Sequence, residues 1–128
     1  EKGEEVTLSQ FAGQPVVLNF WYPSCPPCRL EMPDLEQSYQ DHKADGVQFL
    51  GIQLLGLDSV EDGQVFVEEF GVNYAIGPDS DGRIVRDYGV ISFPTTIILT
   101  EDQRIGRKWA GVLTLEKLDE LIQDVVVE

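Results

Sequence analysis

Val17-Leu18-Asn19-Phe20-Trp21-Tyr22-Pro23-Ser24-Cys25-Pro26-Pro27-Cys28-Arg29-Leu30-Glu31-Met32-Pro33 is the stretch whose reading decides the fold. Its opening, extended back to Pro15, is apolar with β-branched valines, which suits a strand covered on both faces. Tyr22-Pro23-Ser24 breaks the strand, and a helix is predicted over residues 26–43, with Leu30, Leu35 and Tyr39 at helical spacing. Cys25 and Cys28 therefore stand where a buried strand gives way to a helix. Three residues apart at a helix start, two side chains lie about 5–6 Å from each other, within reach of a disulfide. Cys25 meets the free N–H groups and the positive end of the helix dipole, which favour a thiolate, the attacking species in disulfide exchange. Cys25 is thus the expected exposed nucleophile, and Cys28, one turn deeper, is then the resolving thiol. A purely structural bridge closing so short a loop adds little by chain entropy, so the spacing reads as a redox motif.

Outward from this centre the chain alternates strands and helices. On its N-terminal side, Val6-Thr7-Leu8 is a short strand candidate and residues 9–13 form one helical turn stopped by glycine. On the other side, residues 47–53 form the next strand. Ser59 caps a helix that carries Val65, Phe66, Val67 and Phe70 and stops at Gly71. Residues 79–82 turn into a short helix over 83–88. A strand over 95–100 and another over 104–110 make a hairpin, and Thr114 caps a last helix with Leu115, Leu118, Leu121 and Ile122 on one stripe. The predicted order, β-α-β-α-β-β-α, is an α/β class with a mixed central sheet and helices on both faces.

Size and charge narrow the field. With 128 residues, one domain spanning 1–128 is expected. The net charge of −14 repels nucleic-acid phosphates and anionic lipid, so neither is an expected partner. No apolar run approaches the roughly 20 residues that span a bilayer. The opening Glu1-Lys2-Gly3-Glu4-Glu5 reads as a cut edge, as expected of an exported chain whose leader or anchor preceded Glu1. Two cysteines cannot build a multi-bridge scaffold, and a structural zinc site usually needs four ligands.

The strings Val17-Leu18-Asn19-Phe20-Trp21, Cys25-Pro26-Pro27-Cys28-Arg29-Leu30-Glu31-Met32-Pro33 and Phe93-Pro94-Thr95-Thr96 resemble the TlpA/ResA-like branch of the thioredoxin superfamily, the redoxin or AhpC-TSA-like group. The likeness runs from about Val6 to the last helix. It implies a thioredoxin-like fold and an extracytoplasmic, usually membrane-tethered thiol-disulfide oxidoreductase, of a kind that often serves cytochrome c maturation. Its partners would be protein disulfides and a membrane or soluble thiol donor. It would act as a monomer with no metal and no cofactor beyond the Cys25–Cys28 disulfide. The resemblance makes Pro94 the cis-proline that packs against the dithiol, beside a backbone that pairs with substrate. It makes Glu31 an acid able to tune the proton on Cys28, and Asp58 a second acid near the dithiol. Phe93, Trp21, Pro26 and Pro27 complete the expected substrate surface, Trp21 reading equally as a core aromatic beside the site. Two departures matter: Ser24 stands where most relatives have tryptophan, and Asn19 where cytoplasmic thioredoxins hold a buried aspartate, which removes the obvious base for Cys28.

Three rival readings use the same residues. A copper(I) chaperone on this fold needs His or Met ligands near the cysteines. His42 is the only histidine and lies roughly 21 Å along the helix from Cys28, which leaves Met32 as the one soft neighbour. A thiol peroxidase would place Thr or Ser where Tyr22 stands, three residues before Cys25. A binding domain with a structural dithiol would bury it beyond the reach of small thiols.

Overall fold

The computed structural model describes residues 11, 13–79 and 81–126. The strand expected at Val6-Thr7-Leu8 lies outside these residues, as does most of the helical turn over 9–13. Ten elements follow in order: β1 (Val16–Trp21), α1 (Pro26–His42), a 3₁₀ turn (Lys43–Asp45), β2 (Gln48–Leu54), α2 (Val60–Phe70), β3 (Ala75–Asp79), α3 (Arg83–Asp87), β4 (Thr95–Leu99), β5 (Ile105–Ala110) and α4 (Leu115–Val126). The strands form one sheet in the order β3-β2-β1-β4-β5. β1, β2 and β3 run parallel, β4 is antiparallel to β1, and β5 is antiparallel to β4.

Every residue of β1 is buried, as a central strand requires. Val17 and Trp21 point to one face, where Met32 and Leu35 of α1, Phe66 of α2 and Leu118, Leu121 and Ile122 of α4 close the core. Val16, Leu18 and Phe20 point to the other, where Ile84, Val85 and Tyr88 around α3 pack against them. Helices thus cover both faces, as the alternating pattern requires. Ser59 caps α2 through a reciprocal capping box with Asp62, and the Thr114 hydroxyl accepts from Lys117 N–H at the start of α4.

Two sequence expectations change. β3 has no counterpart in the predicted order, because Ala75-Ile76-Gly77-Pro78-Asp79 is short and carries Gly and Pro. It is tolerated as a strand because it lies at the sheet edge, where a missing N–H breaks no inner ladder. Leu30, expected on the apolar stripe of α1, is 74% exposed. The buried stripe is Cys28, Glu31, Met32, Leu35 and Ser38, so two polar residues occupy core positions that the apolar pattern assigned elsewhere.

Gly51 makes a tight spot beneath the site. It pairs with Asn19 and Ile76 in neighbouring strands. A Cβ there would run into Ile76 Cδ1 and sit 3.0 Å from the buried Trp21 Nε1. Gly51→Ala is expected to destabilise the protein by about 1–3 kcal/mol, read as a lower denaturant midpoint at unchanged slope. An unchanged midpoint would show that Ile76 gives way freely.

Candidate active site

The site forms at one end of the sheet, and the strand registers place it there. Phe20 pairs with Thr95, Thr95 with Ala110, and Trp21 with Gln53. The exits of β1, β2 and β5 and the entry to β4 therefore meet along one edge. Cys25 is the N-cap of α1 in extended conformation, with Pro26 and Pro27 in the first turn. Proline suits that turn, because its missing N–H would have no helical partner there. The cysteines form a disulfide, with Cα atoms 5.2 Å apart. Cys28 N–H donates to Cys25 Sγ at 3.3 Å.

The Phe93–Pro94 peptide bond is cis. Pro94 is buried, its carbonyl accepts from Gly111 N–H at 2.8 Å, and the Thr95 hydroxyl donates to Ser92 O at 2.7 Å. The Phe93 ring meets the Tyr22 ring edge-on at 5.7 Å, which joins the proline loop to the loop before Cys25. Around this end the connecting loops expose Ile91 (94%), Leu57 (68%) and Val112, an apolar rim suited to a polypeptide.

Beneath the dithiol, Glu31 is 1% exposed. One carboxylate oxygen accepts from Asn19 Nδ2 at 2.7 Å and the other from Leu113 N–H at 3.0 Å. Burial raises its pKa from 4.5 to about 7; the bonds from Leu113 and Asn19 oppose that rise, and the nearby Asp34 charge adds to it. A carboxyl one helical turn beyond Cys28 that titrates near neutrality suits proton exchange.

Arg29, which follows Cys28, turns its charge elsewhere. Its guanidinium pairs with Glu69 at 2.8 Å and lies over the rings of Phe66 and Phe70 at 5.3 and 5.0 Å. Asp58 holds the loop before the dithiol, since one of its oxygens accepts from both Ser24 N–H (3.0 Å) and Ser24 Oγ (2.8 Å).

The structure brings Cys25, Cys28, Glu31, Phe93, Pro94, Pro26 and Pro27 to one end, and it corrects two expectations. Trp21 is fully buried and stacks on Phe66 at 4.6 Å, so it supports the site from below and has no surface for substrate. Cys25, expected as the accessible cysteine, is 1% exposed in the disulfide form, against 0% for Cys28. Sequence reasoning missed Asn19 and Leu113 as partners of Glu31, and Ser24 as partner of Asp58. Only the polar letter Asn19 inside an apolar strand signalled the first of these.

A thioredoxin fold with a disulfide at the N-terminus of a helix defines a thiol-disulfide oxidoreductase acting on protein disulfides. The chain belongs to the AhpC/TSA family, whose pattern matches residues 1–108. It is 30% identical over 124 residues to the thiol-disulfide oxidoreductase ResA of Bacillus thuringiensis subsp. konkukian, covering 97% of this chain and 70% of that one. It is 31% identical to the sporulation thiol-disulfide oxidoreductase A of Bacillus subtilis, covering 96% and 74%. The crystal structure of StoA from Bacillus subtilis superposes with a TM-score of 0.79 at 29% identity, covering 87% of this chain and 84% of that one. A secreted disulfide oxidoreductase of Mycobacterium tuberculosis gives 0.76 at 29%, covering 94% and 86%.

Proposed function

We propose that this chain, a single domain acting as a monomer, reduces disulfides of extracytoplasmic proteins, with Cys25 as nucleophile, Cys28 as resolver and Glu31 as the group that takes the Cys28 proton. The Cys25 thiolate attacks one sulfur of the substrate disulfide, and the other substrate sulfur leaves and takes a proton. Cys28 gives its proton to Glu31 and attacks Cys25 Sγ. The second substrate sulfur leaves and is protonated in turn. The substrate gains two electrons and two protons, and Cys25–Cys28 is left oxidised for a thiol donor to reduce. No metal or further cofactor enters these steps. The Phe93–Pro94 loop and the apolar rim receive the substrate backbone, with Pro26 and Pro27 at the border.

The direction of electron flow rests on how poorly a Cys25 thiolate is supported. Pro26 and Pro27 carry no N–H, so the first backbone N–H of α1 able to reach Cys25 Sγ is that of Cys28, which donates to it at 3.3 Å. Arg29, next in sequence to Cys28, is paired with Glu69. A weakly stabilised thiolate leaves the reduced form without the advantage that makes strong oxidants of this fold. Secretion of the Mycobacterium tuberculosis relative supports an extracytoplasmic location, and the resemblance to TlpA/ResA-like proteins supports a place in cytochrome c maturation. Copper binding is disfavoured by position. His42 lies 3.0 Å from Asp119, between α1 and α4, and Met32 Sδ accepts from the buried Tyr74 hydroxyl.

Equilibration with dithiothreitol or glutathione buffers, followed by tryptophan fluorescence, tests this reading. The potential is expected nearer the roughly −270 mV of thioredoxin than the roughly −120 mV of a strong oxidase. A value more positive than about −170 mV would make the protein an oxidase or isomerase.

A further inference from the structure

We propose that Asn19 is a positioning residue whose side-chain amide turns over as Glu31 gains or loses its proton, so that the state of Glu31 is passed to Thr96 at the entry to the proline loop. The inference rests on Glu31 acting as above. Asn19 and Thr96 are cross-strand partners in β1 and β4, and both are 1% exposed. Asn19 Nδ2 donates to Glu31 Oε2 at 2.7 Å and to Thr96 Oγ1 at 3.2 Å, while Asn19 Oδ1 has no hydrogen-bond partner among the described residues.

This arrangement fits an ionised Glu31 and no other state. A neutral carboxyl must donate its proton. Oε1 faces Leu113 N–H, which is itself a donor, so the proton belongs on Oε2. There it confronts Asn19 Nδ2, a second donor. Turning the amide by half a revolution presents Oδ1 to both neighbours, and breaks no protein bond to Oδ1 in doing so. Glu31 then donates to Oδ1, and the Thr96 hydroxyl rotates from acceptor to donor. Thr96 adjoins Thr95, whose hydroxyl holds Ser92 O beside the cis bond. The two threonines thus link the carboxyl network to the substrate-docking loop. The titratable groups that interact with Glu31 are Asp34 on α1 and Tyr74 ahead of β3, whose own pKa is raised by burial first and by the Glu31 charge second; Cys28, one turn before Glu31 on α1, is held in the disulfide. From β1 and the β5–α4 loop the groups that meet the Glu31 carboxylate, Asn19 Nδ2 and Leu113 N–H, are neutral, and Thr96 of β4 reaches it only through Asn19.

The test is NMR on labelled protein across neutral pH. Nuclear Overhauser contacts from the Asn19 Hδ2 protons to the Glu31 side chain should be strong above the Glu31 midpoint and vanish below it. In Glu31→Gln the same protons should not change with pH. In Asn19→Leu the Glu31 midpoint should rise by roughly half a unit or more, because a bond to its ionised form is lost. Thr96→Val should abolish the titration of the Thr95 and Ser92 amides. Hδ2 contacts that persist on both sides of the midpoint overturn the proposal, and the wild-type experiment alone decides this if Asn19→Leu does not fold. Disulfide reductase activity, measured separately, reports on the function above. Active protein with invariant Asn19 contacts refutes only this inference.

Discussion

Replacing Cys25 with serine is expected to bring disulfide reduction to the uncatalysed background, and Cys28→Ser to stop turnover after the first exchange. The two losses have different causes. Without Cys25 there is no thiolate at the N-cap of α1, where the Cys28 N–H and the helix dipole act. Serine cannot replace it, since its hydroxyl is a far weaker nucleophile than a thiolate and forms no disulfide. Without Cys28 the first attack still occurs, but the mixed disulfide has no internal thiol to resolve it. Turbidity from reduced insulin, with dithiothreitol as donor, measures the loss in Cys25→Ser; for Cys28→Ser the first exchange is followed in a single turnover of pre-reduced protein without dithiothreitol, which would itself release the mixed disulfide. Near wild-type turnover by Cys25→Ser would show that the chemistry does not pass through this residue.

Glu31→Gln is expected to stabilise the protein at high pH while slowing it. The folded pKa of about 7 lies above the unfolded 4.5. The folded state therefore binds this proton more tightly, and the associated stability is fully present below about pH 4.5 and is lost as pH rises through 7. A shift of this size costs the wild type about 3 kcal/mol above pH 8, a cost that a neutral glutamine does not carry. Near pH 5 the two proteins should differ little. Urea unfolding at both pH values measures the gap, and equal stability at pH 8 would show that Glu31 is not held against ionisation. Catalysis moves the other way. With no base beneath Cys28, the resolving step should slow by roughly a hundredfold. Stabilisation together with slower turnover marks a residue kept for chemistry at a cost to the fold.

The fold was legible because its central strand and helix junction leave few alternatives. A run as apolar as Val17-Leu18 and Phe20-Trp21, followed by two prolines that suit only a helix's first turn, fixes where the dithiol sits. The cis bond at Pro94 was legible through the family resemblance, since no local physics of Phe93-Pro94-Thr95 demands it. β3 was not legible, because an edge strand needs little propensity when a neighbour supplies the ladder. Leu30 was misjudged: this apolar residue faces solvent, while the carboxylate of Glu31 beside it faces the core. Periodicity ranks side chains by hydrophobicity, and a buried acid held by Asn19 and Leu113 breaks that ranking for the sake of its proton. The bond between Glu31 and Leu113 joins residues 82 positions apart, and the Ser24 clasp on Asp58 spans 34; no local pattern encodes either.

The most direct measurement is to incubate reduced Cys28→Ser protein with a disulfide-bonded substrate, quench with acid, and map the adduct by mass spectrometry. The prediction is a stable mixed disulfide on Cys25 that dithiothreitol releases, with no such adduct on Cys28 when Cys25→Ser is treated in the same way. An adduct on Cys28 in Cys25→Ser, with Cys25 unmodified in Cys28→Ser, would contradict the assignment of nucleophile and resolver.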